Sequence, residues 1–300
     1  MPQPRVLRAL RGAQWLVNAY VIFRRSTGAW MLVLLGLLAA MVVSSLLQVV
    51  GPLVFGLLFP VFSVGIALAA QAVDRGEPIV PTHFASGFLS STGDLVAIGG
   101  IYLVGQLMIV GVMMAIGGTG VAQGMAAGAA AGAASGPVPV TGAMAVAGLV
   151  GLVLLVPLLL ASWFAPLLVY FHGQKAFPSL LVSLGAAVRN WRAFLVCFVS
   201  LLLAMILARL LVSVLLLLPA IGPLLGMVFV GALIAVMAPV GLIAFYTSYV
   251  DVFEPVEDAV SDAPDDDGDA GEGREQPASG ETAGHGETAS TGTTGEGPGR

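Results

Sequence analysis

Long, almost uninterrupted runs of apolar residues fill the first 250 positions of the chain. A helix needs about 20 apolar residues to cross the roughly 30 Å hydrocarbon core of a bilayer. Six runs reach that length, at approximately 30–50, 53–73, 95–117, 143–171, 193–218 and 224–249. The pattern predicts an all-α integral membrane protein whose transmembrane domain covers residues 30–250.

The spans also follow a recurring order along the chain. A short, moderately apolar segment precedes each odd-numbered span, near residues 10–25, 83–88 and 180–192, and a proline lies inside each even-numbered span, at Pro60, Pro166 and Pro239. We interpret this as an internal repeat of interfacial helix, span, outer turn and span. The prediction is three helical hairpins, each preceded by a short interfacial helix.

Composition supports a membrane protein, because 58% of the residues are hydrophobic and 10% are charged, against about 25% charged residues in soluble domains. No Asp, Glu, Lys or Arg occurs between Leu95 and Gln174. The basic residues are too few for nucleic-acid binding, so we expect no nucleic-acid partner. The bilayer itself is the expected environment.

Basic residues fall on one side of the predicted spans. Eleven of the twelve Lys and Arg residues lie in the N-terminal segment, the second-to-third and fourth-to-fifth connections, and the tail. Cationic connections resist translocation and stay in the cytoplasm. Both termini are therefore expected to be cytoplasmic.

Residues 1–29 predict a basic amphipathic segment on the cytoplasmic side. Arg5, Arg8 and Arg11 recur on one side of a helix, and apolar residues including Val6 and Val17 fall on the other. Such a helix lies in the headgroup plane, near anionic lipids. The candidate headgroup contacts are Arg5, Arg8, Arg11, Arg24 and Arg25. The alternative is that these arginines only orient the first span.

The last fifty residues differ from the rest of the chain. Residues 251–300 contain fourteen acidic residues and few large apolar ones, so they cannot bury enough surface to offset the entropy of ordering. We predict a disordered acidic cytoplasmic tail. A solvated tail is favoured over a partner-binding arm on composition.

Arg209 is the one charged residue deep within a predicted span. Intramembrane charges are costly and commonly mark functional positions. The candidate intramembrane polar site comprises Arg209, Gln48, Ser45 and Gln106. A structural contact with lipid or another helix is favoured, and binding of an anion or polar substrate is the alternative.

Glycine recurs at every fourth position from Gly120 to Gly136 in the 118–142 connection. This spacing would place the glycines on one face of a packed helix. Glycine and alanine enrichment is also typical of a low-complexity loop, and glycine disfavours helix by about 1 kcal/mol relative to alanine. Of these two structures we expect the loose outer loop.

Motifs for catalysis, metal binding or nucleotide binding are missing from the sequence. It contains no H-E-x-x-H, G-x-S-x-G or Walker A pattern, and Cys197 is the one cysteine. We therefore expect no catalytic residue, no metal and no cofactor, and we do not expect an enzyme.

Several short motifs resemble one protein family. These are Gly12-x-x-Trp15-Leu16, Val50-Gly51-Pro52, the stretch from Phe59 to Gly65, and Phe84-x-x-Gly87-Phe88. Together they resemble a family of betaproteobacterial six-span inner-membrane proteins of unknown function, most clearly over residues 10–90. The resemblance implies a bacterial inner membrane as the location and implies no activity.

Two functions remain open from the sequence. The favoured hypothesis is a non-enzymatic inner-membrane protein that acts in envelope organisation or binds other membrane proteins. The alternative is a transporter or channel for a small solute or lipid-related anion that uses polar residues near Arg209. An intramembrane enzyme ranks third, because no acid–base or nucleophilic pair is present.

Overall fold

A computed structural model describes residues 4–47, 50–129, 141–218 and 220–253. These residues form helices and no strands. The helices are α1 (Arg11–Arg25), α2 (Thr27–Leu46), α3 (Val50–Asp74), α4 (Thr82–Leu89), α5 (Thr92–Ala129), α6 (Gly142–His172), α7 (Ala176–Arg189), α8 (Trp191–Leu215) and α9 (Gly222–Phe253).

Six of these helices, α2, α3, α5, α6, α8 and α9, are long and apolar enough to cross a membrane. They follow one another as three hairpins, and a shorter helix precedes each hairpin. The prediction of an all-α multi-pass membrane protein is confirmed. Prolines inside α3, α6 and α9 remain within continuous helices, at Pro60, Pro166 and Pro239.

The charged residues mark one end of the helical bundle. Every Asp, Glu, Lys and Arg among the described residues, apart from Arg209, lies in or beside α1, α4, α7 or the adjoining ends of the long helices. We call this the charged end and the opposite end the apolar end. The described chain enters and leaves the bundle at the charged end.

The long helices carrying prolines form the centre of the bundle, where α3, α6 and α9 contact one another. The short helices α4 and α7 each pack on the proline-containing helix that precedes them, α3 and α6, and α1 packs on the proline-containing helix α9. The last of these contacts joins the first helix to the last. The helix contacts therefore close into a ring.

The buried core lies in the half of the bundle nearest the charged end. Trp15, Phe164 and Tyr249 are almost fully buried there, with edge and tilted ring contacts that continue through Phe194 and Phe253. Towards the apolar end, α2, α8 and α9 expose most of their leucine, valine and methionine side chains. Protein packing is thus dense at one end and sparse at the other.

The outer connection between α5 and α6 differs from the expected loop. Helix α5 continues past residue 117 to Ala129, with a kink at Gly118, where φ is 57° and ψ is −143°. A Cβ at Gly120 would contact Met144 of α6. The loose-loop prediction is wrong for residues 119–129, because close packing against α6 offsets the poor helix propensity of glycine. Residues 130–140 lie outside the described part.

The N-terminal segment also differs from its prediction. Helix α1 begins at Arg11, so Arg5 and Arg8 precede the helix. The helix buries Trp15 and four further residues, whereas the predicted apolar face at Val6 and Val17 is exposed. Helix α1 packs on α8 and α9 through these buried residues, so Val17 lies on the opposite, exposed face of the helix.

Candidate functional site

Arg209 lies on the exposed surface of α8. It is six residues from the end of the helix at Leu215, about 9 Å along the axis. Its carbonyl oxygen accepts a hydrogen bond from Ser213 Oγ at 2.9 Å, while its guanidinium has no bonded partner among the described residues. Arg209 therefore offers an unpaired cation on an otherwise apolar surface.

The structure does not bring Ser45 and Gln106, the described members of the predicted site, together with Arg209. Ser45 on α2 donates its hydroxyl to the Val42 carbonyl at 2.6 Å, and Gln106 on α5 donates to the Tyr102 hydroxyl at 2.6 Å. The main neighbours of α8 are α1, α7 and α9, so neither α2 nor α5 packs beside it. Gln48 lies outside the described residues.

A buried carboxylate lies at the charged end. Asp251 of α9 is 7% exposed and accepts hydrogen bonds from Arg11 Nε at 3.0 Å and Trp15 Nε1 at 2.8 Å. Arg11 Nη2 donates to the second carboxylate oxygen, which completes a bidentate ion pair. The hydrogen bond to Asp251 raises the pKa of Arg11 above its ordinary value. This cluster fixes α1 on α9.

Asn190, between α7 and α8, fixes the segment that precedes α1. It is 1% exposed, donates Nδ2 to the Arg5 carbonyl at 2.8 Å and accepts from the Leu7 backbone N–H at 2.8 Å. The Arg5 N–H donates to the Val252 carbonyl at 3.0 Å. The N-terminal segment is thus bonded to both α9 and the start of α8.

Two further ion pairs join helix ends at the charged end. Lys175 Nζ lies 3.3 Å from Asp94 Oδ2, and Asp94 Oδ1 accepts from the Ala176 backbone N–H at 3.1 Å at the start of α7. Arg25 Nη1 lies 3.4 Å from Asp74 Oδ1, and both side chains are about half exposed. Such exposed pairs contribute little stability.

The five predicted headgroup contacts have different surroundings. Arg11 and Arg25 pair with carboxylates, as described above. Arg24 lies over the Tyr20 ring, with 5.9 Å from its guanidinium carbon to the ring centroid. Arg8 is exposed. The backbone carbonyl of Arg5 accepts a hydrogen bond from Asn190, and its backbone N–H donates to Val252.

The cavities among the described residues include three of about 310 to 380 Å³. A polar one of about 310 Å³, which we call the charged-end pocket, lies between α1, α9 and the end of α3. Its polar lining comprises Arg11, Asn18, Arg25, Asp74, Thr247 and Asp251. An apolar one of about 380 Å³, which we call the α2–α3 groove, is lined chiefly by those two helices. The third, of about 360 Å³, lies between α3, α5, α6 and α9.

The third cavity is central, but it offers little polar chemistry. Its hydroxyls at Ser63 and Ser162 donate to carbonyls of their own helices, and its Tyr102 hydroxyl accepts from Gln106 at 2.6 Å. Trp163 Nε1 donates to Ser248 Oγ at 3.1 Å. Aromatic and aliphatic side chains form the rest of its wall. In the described part of the chain, no group of three or more His, Cys, Asp or Glu side chains is placed to hold a metal ion.

Sequence reasoning missed Asp251 and Asn190. Asp251 lies just after the predicted sixth span, and the sequence prediction groups it with the thirteen acids of the tail that follow it. Asn190 lies between two helices where a polar residue is ordinary. The apolar pattern of the sixth span continues on both sides of Asp251 to Phe253, and this continuation indicates that Asp251 belongs to the helix.

No protein-family model, curated protein or solved structure matches the chain.

Proposed function

We propose that this protein is a non-enzymatic multi-pass protein of the bacterial inner membrane that binds another membrane protein through the apolar half of α8. The charged-end half of the bundle is the folded support, and α8 presents the binding surface. Envelope organisation is the broader role that such an interaction would serve.

The guanidinium of Arg209, which has no bonded partner among the described residues, is the observation that carries this proposal. A charged side chain in a span costs about 2.5–3.5 kcal/mol on insertion scales, so a partner that neutralises it gains a strong contact. One turn earlier on the same face of α8, Met205 and Ile206 are 60% and 46% exposed. A partner helix with a carboxylate near its outer end would match both the charge and the apolar surroundings.

The transporter alternative receives less support from this geometry. Its proposed site required Arg209 to lie with Ser45, Gln48 and Gln106. The two described partners bond within their own helices, and their helices do not pack beside α8. A transport pathway through this group of residues therefore has no assembled polar lining among the described residues.

Replacing Arg209 with leucine should weaken partner binding and leave the protein folded. A photo-crosslinking residue at Met205 should form a protein adduct in the native background. The adduct should fall about tenfold with Arg209→Leu, which corresponds to about 1.4 kcal/mol, and less with Arg209→Lys, which keeps the charge. Thermal stability in detergent should be unchanged or higher.

Leu152, which is 57% exposed on the apolar half of α6, provides the matched control position for the crosslinker. It should yield lipid adducts only. The identified partner should carry an acidic residue in a span, and exchanging the charges between Arg209 and that residue should restore the adduct. Lipid adducts alone at Met205 would contradict partner binding, and solute transport that Arg209→Leu abolishes would favour the transporter.

The orientation is part of the same proposal: the charged end faces the cytoplasm. The concentration of basic residues there supports it. Exposed Arg8 and Arg24 would then face anionic lipids of the cytoplasmic leaflet. The closed ring of helix contacts also supports an internal repeat, since each short helix has the corresponding neighbour in all three hairpins.

Reporter fusions should show this orientation directly. Fusions near Gly185 and after Phe253 are expected to report the cytoplasm, and a fusion near Gly128 is expected to report the opposite side. An alkaline phosphatase and a fluorescent protein reporter at each position give complementary signals. A phosphatase-active fusion after Phe253 would contradict the proposed orientation.

A further inference from the structure

The Arg25–Asp74 pair leaves bonding capacity unused. One guanidinium nitrogen, Nη1, contacts Asp74 Oδ1 at 3.4 Å and the Asp74 carbonyl at 3.2 Å. Arg25 Nε and Nη2 and Asp74 Oδ2 have no bonded partner among the described residues. Both side chains line the charged-end pocket, at 51% and 46% exposure. A ligand can therefore reach a free cationic edge and a free carboxylate oxygen side by side.

The α2–α3 groove begins close to this pair. Its lining starts at Ala29, four residues after Arg25 and beyond the non-helical Ser26 that separates α1 from α2. It runs along α2 to Ala40, about 16 Å along the helix axis. Its remaining wall comprises Phe62, Ile66, Ile79, Val80, Pro81 and Phe84, and its lining side chains are apolar throughout. A narrow apolar groove of this length fits a stretch of one hydrocarbon chain.

We infer that the protein binds a phospholipid whose headgroup contains a phosphate and a primary ammonium group, as in phosphatidylethanolamine. The phosphate binds the free edge of Arg25, the ammonium donates to Asp74 Oδ2, and one acyl chain occupies the α2–α3 groove. This inference does not depend on the partner proposed for α8.

The chemistry of the two groups selects this headgroup. A guanidinium binds phosphate through paired N–H donors. A carboxylate oxygen accepts hydrogen bonds from a primary ammonium, whereas a trimethylammonium group has no N–H to donate. A headgroup with no ammonium would place its negative charge near Asp74 without compensation. Because an exposed ion pair is worth at most about 1 kcal/mol, opening the Arg25–Asp74 contact costs little.

Lipid retention by the full-length protein tests this inference. The detergent-solubilised protein is incubated with an equimolar mixture of phosphatidylethanolamine, phosphatidylcholine and phosphatidylglycerol bearing identical acyl chains. The protein is then washed, and bound lipid is measured by mass spectrometry. We expect phosphatidylethanolamine to be retained about tenfold over the other two, the factor that one hydrogen bond to a charged group provides.

Three substitutions separate the contacts. Asp74→Asn should bring retention of phosphatidylethanolamine down to that of phosphatidylcholine, and Arg25→Gln should lower both. Gly36→Phe should fill the α2–α3 groove and lower retention of all three lipids, since a Cβ at Gly36 meets open space and the larger side chain can be accommodated. Glu77→Gln is the control, because this nearby acid does not line the charged-end pocket.

Soluble phosphoethanolamine distinguishes the lipid from a free headgroup. At millimolar concentration it should fail to displace the bound lipid, because it lacks the chain that the groove holds. Displacement by the soluble compound, combined with no effect of Gly36→Phe, would overturn the lipid assignment. Equal retention of the three lipids, or an equal loss with Glu77→Gln and Asp74→Asn, would overturn the headgroup site. A thermal melt of each variant establishes that it is folded.

Discussion

Asp251→Asn should lower the free energy of unfolding by about 3 kcal/mol, at the lower end of the range for breaking a buried ion pair. The carboxylate is 7% exposed and holds both Arg11 and the Trp15 indole N–H. Asparagine keeps the shape of the side chain but loses its charge. Its amide nitrogen is itself a donor and would face the N–H donors of Arg11 and Trp15. We expect a loss of stability at the lower end of that range because the Arg11 side chain is 42% exposed and partly hydrated. Thermal unfolding in detergent measures the loss.

Asp74→Asn is the matched comparison, since the same change at this half-exposed pair should cost less than about 1 kcal/mol. Adding Arg11→Met to Asp251→Asn should cost much less than Arg11→Met alone, because both changes remove the same interaction. Additive losses in the double variant, or equal losses at Asp74 and Asp251, would show that the ion pair does not stabilise the bundle.

Gly12→Ala should destabilise the protein by about 2–3 kcal/mol, the upper part of the range for overpacking. A Cβ at Gly12 would overlap the carbonyl of Ala193 and approach the backbone nitrogen of Cys197. Because both obstacles are backbone atoms of α8, side-chain rotation cannot relieve the overlap, and α1 must move away. Thermal unfolding and limited proteolysis of the N-terminal segment would both report the change.

Gly28→Ala is the control for this prediction. Gly28 also lies in the first turn of a helix, α2, but a Cβ there meets nothing within 4 Å. Alanine should be neutral or stabilising by up to about 1 kcal/mol, because it reduces the entropy lost on helix formation. If both substitutions had the same effect, close contact between α1 and α8 would not be the cause.

Hydropathy predicted the membrane-spanning helices because the cost of burying polar groups in lipid acts on each segment separately. The same local signal located the short segment before each hairpin. It failed for residues 119–129, where glycine and alanine carry no strong local preference and contact with Met144 decides the outcome. The extension of α9 to Phe253 was missed because Asp251 was grouped with the acidic residues that follow it.

The site could be predicted less well, because its residues are distant in sequence. Arg11 and Asp251 are 240 positions apart, and no local periodicity indicates that they pair. For α1, the arginine spacing suggested a surface helix, but Trp15 is buried by α8 and α9, which only tertiary structure shows. Arg209 stands out in the sequence as a charge within an apolar span, whereas its predicted partners rest on depth alone and not on helix neighbours. The disordered-tail prediction for residues 251–300 concerns positions outside the described part from 254 onward.

The contact of α1 with α9 has a consequence for biosynthesis. The ribosome adds about 5–20 residues per second, so about 12–50 s pass between synthesis of Arg11 and of Asp251. Throughout that interval Trp15 and Arg11 lack the carboxylate that they bind in the finished fold. The five earlier spans are therefore synthesised before α1 can dock on α9, and a chain interrupted within α9 would leave α1 held chiefly by its contact with α8 and more accessible to membrane proteases.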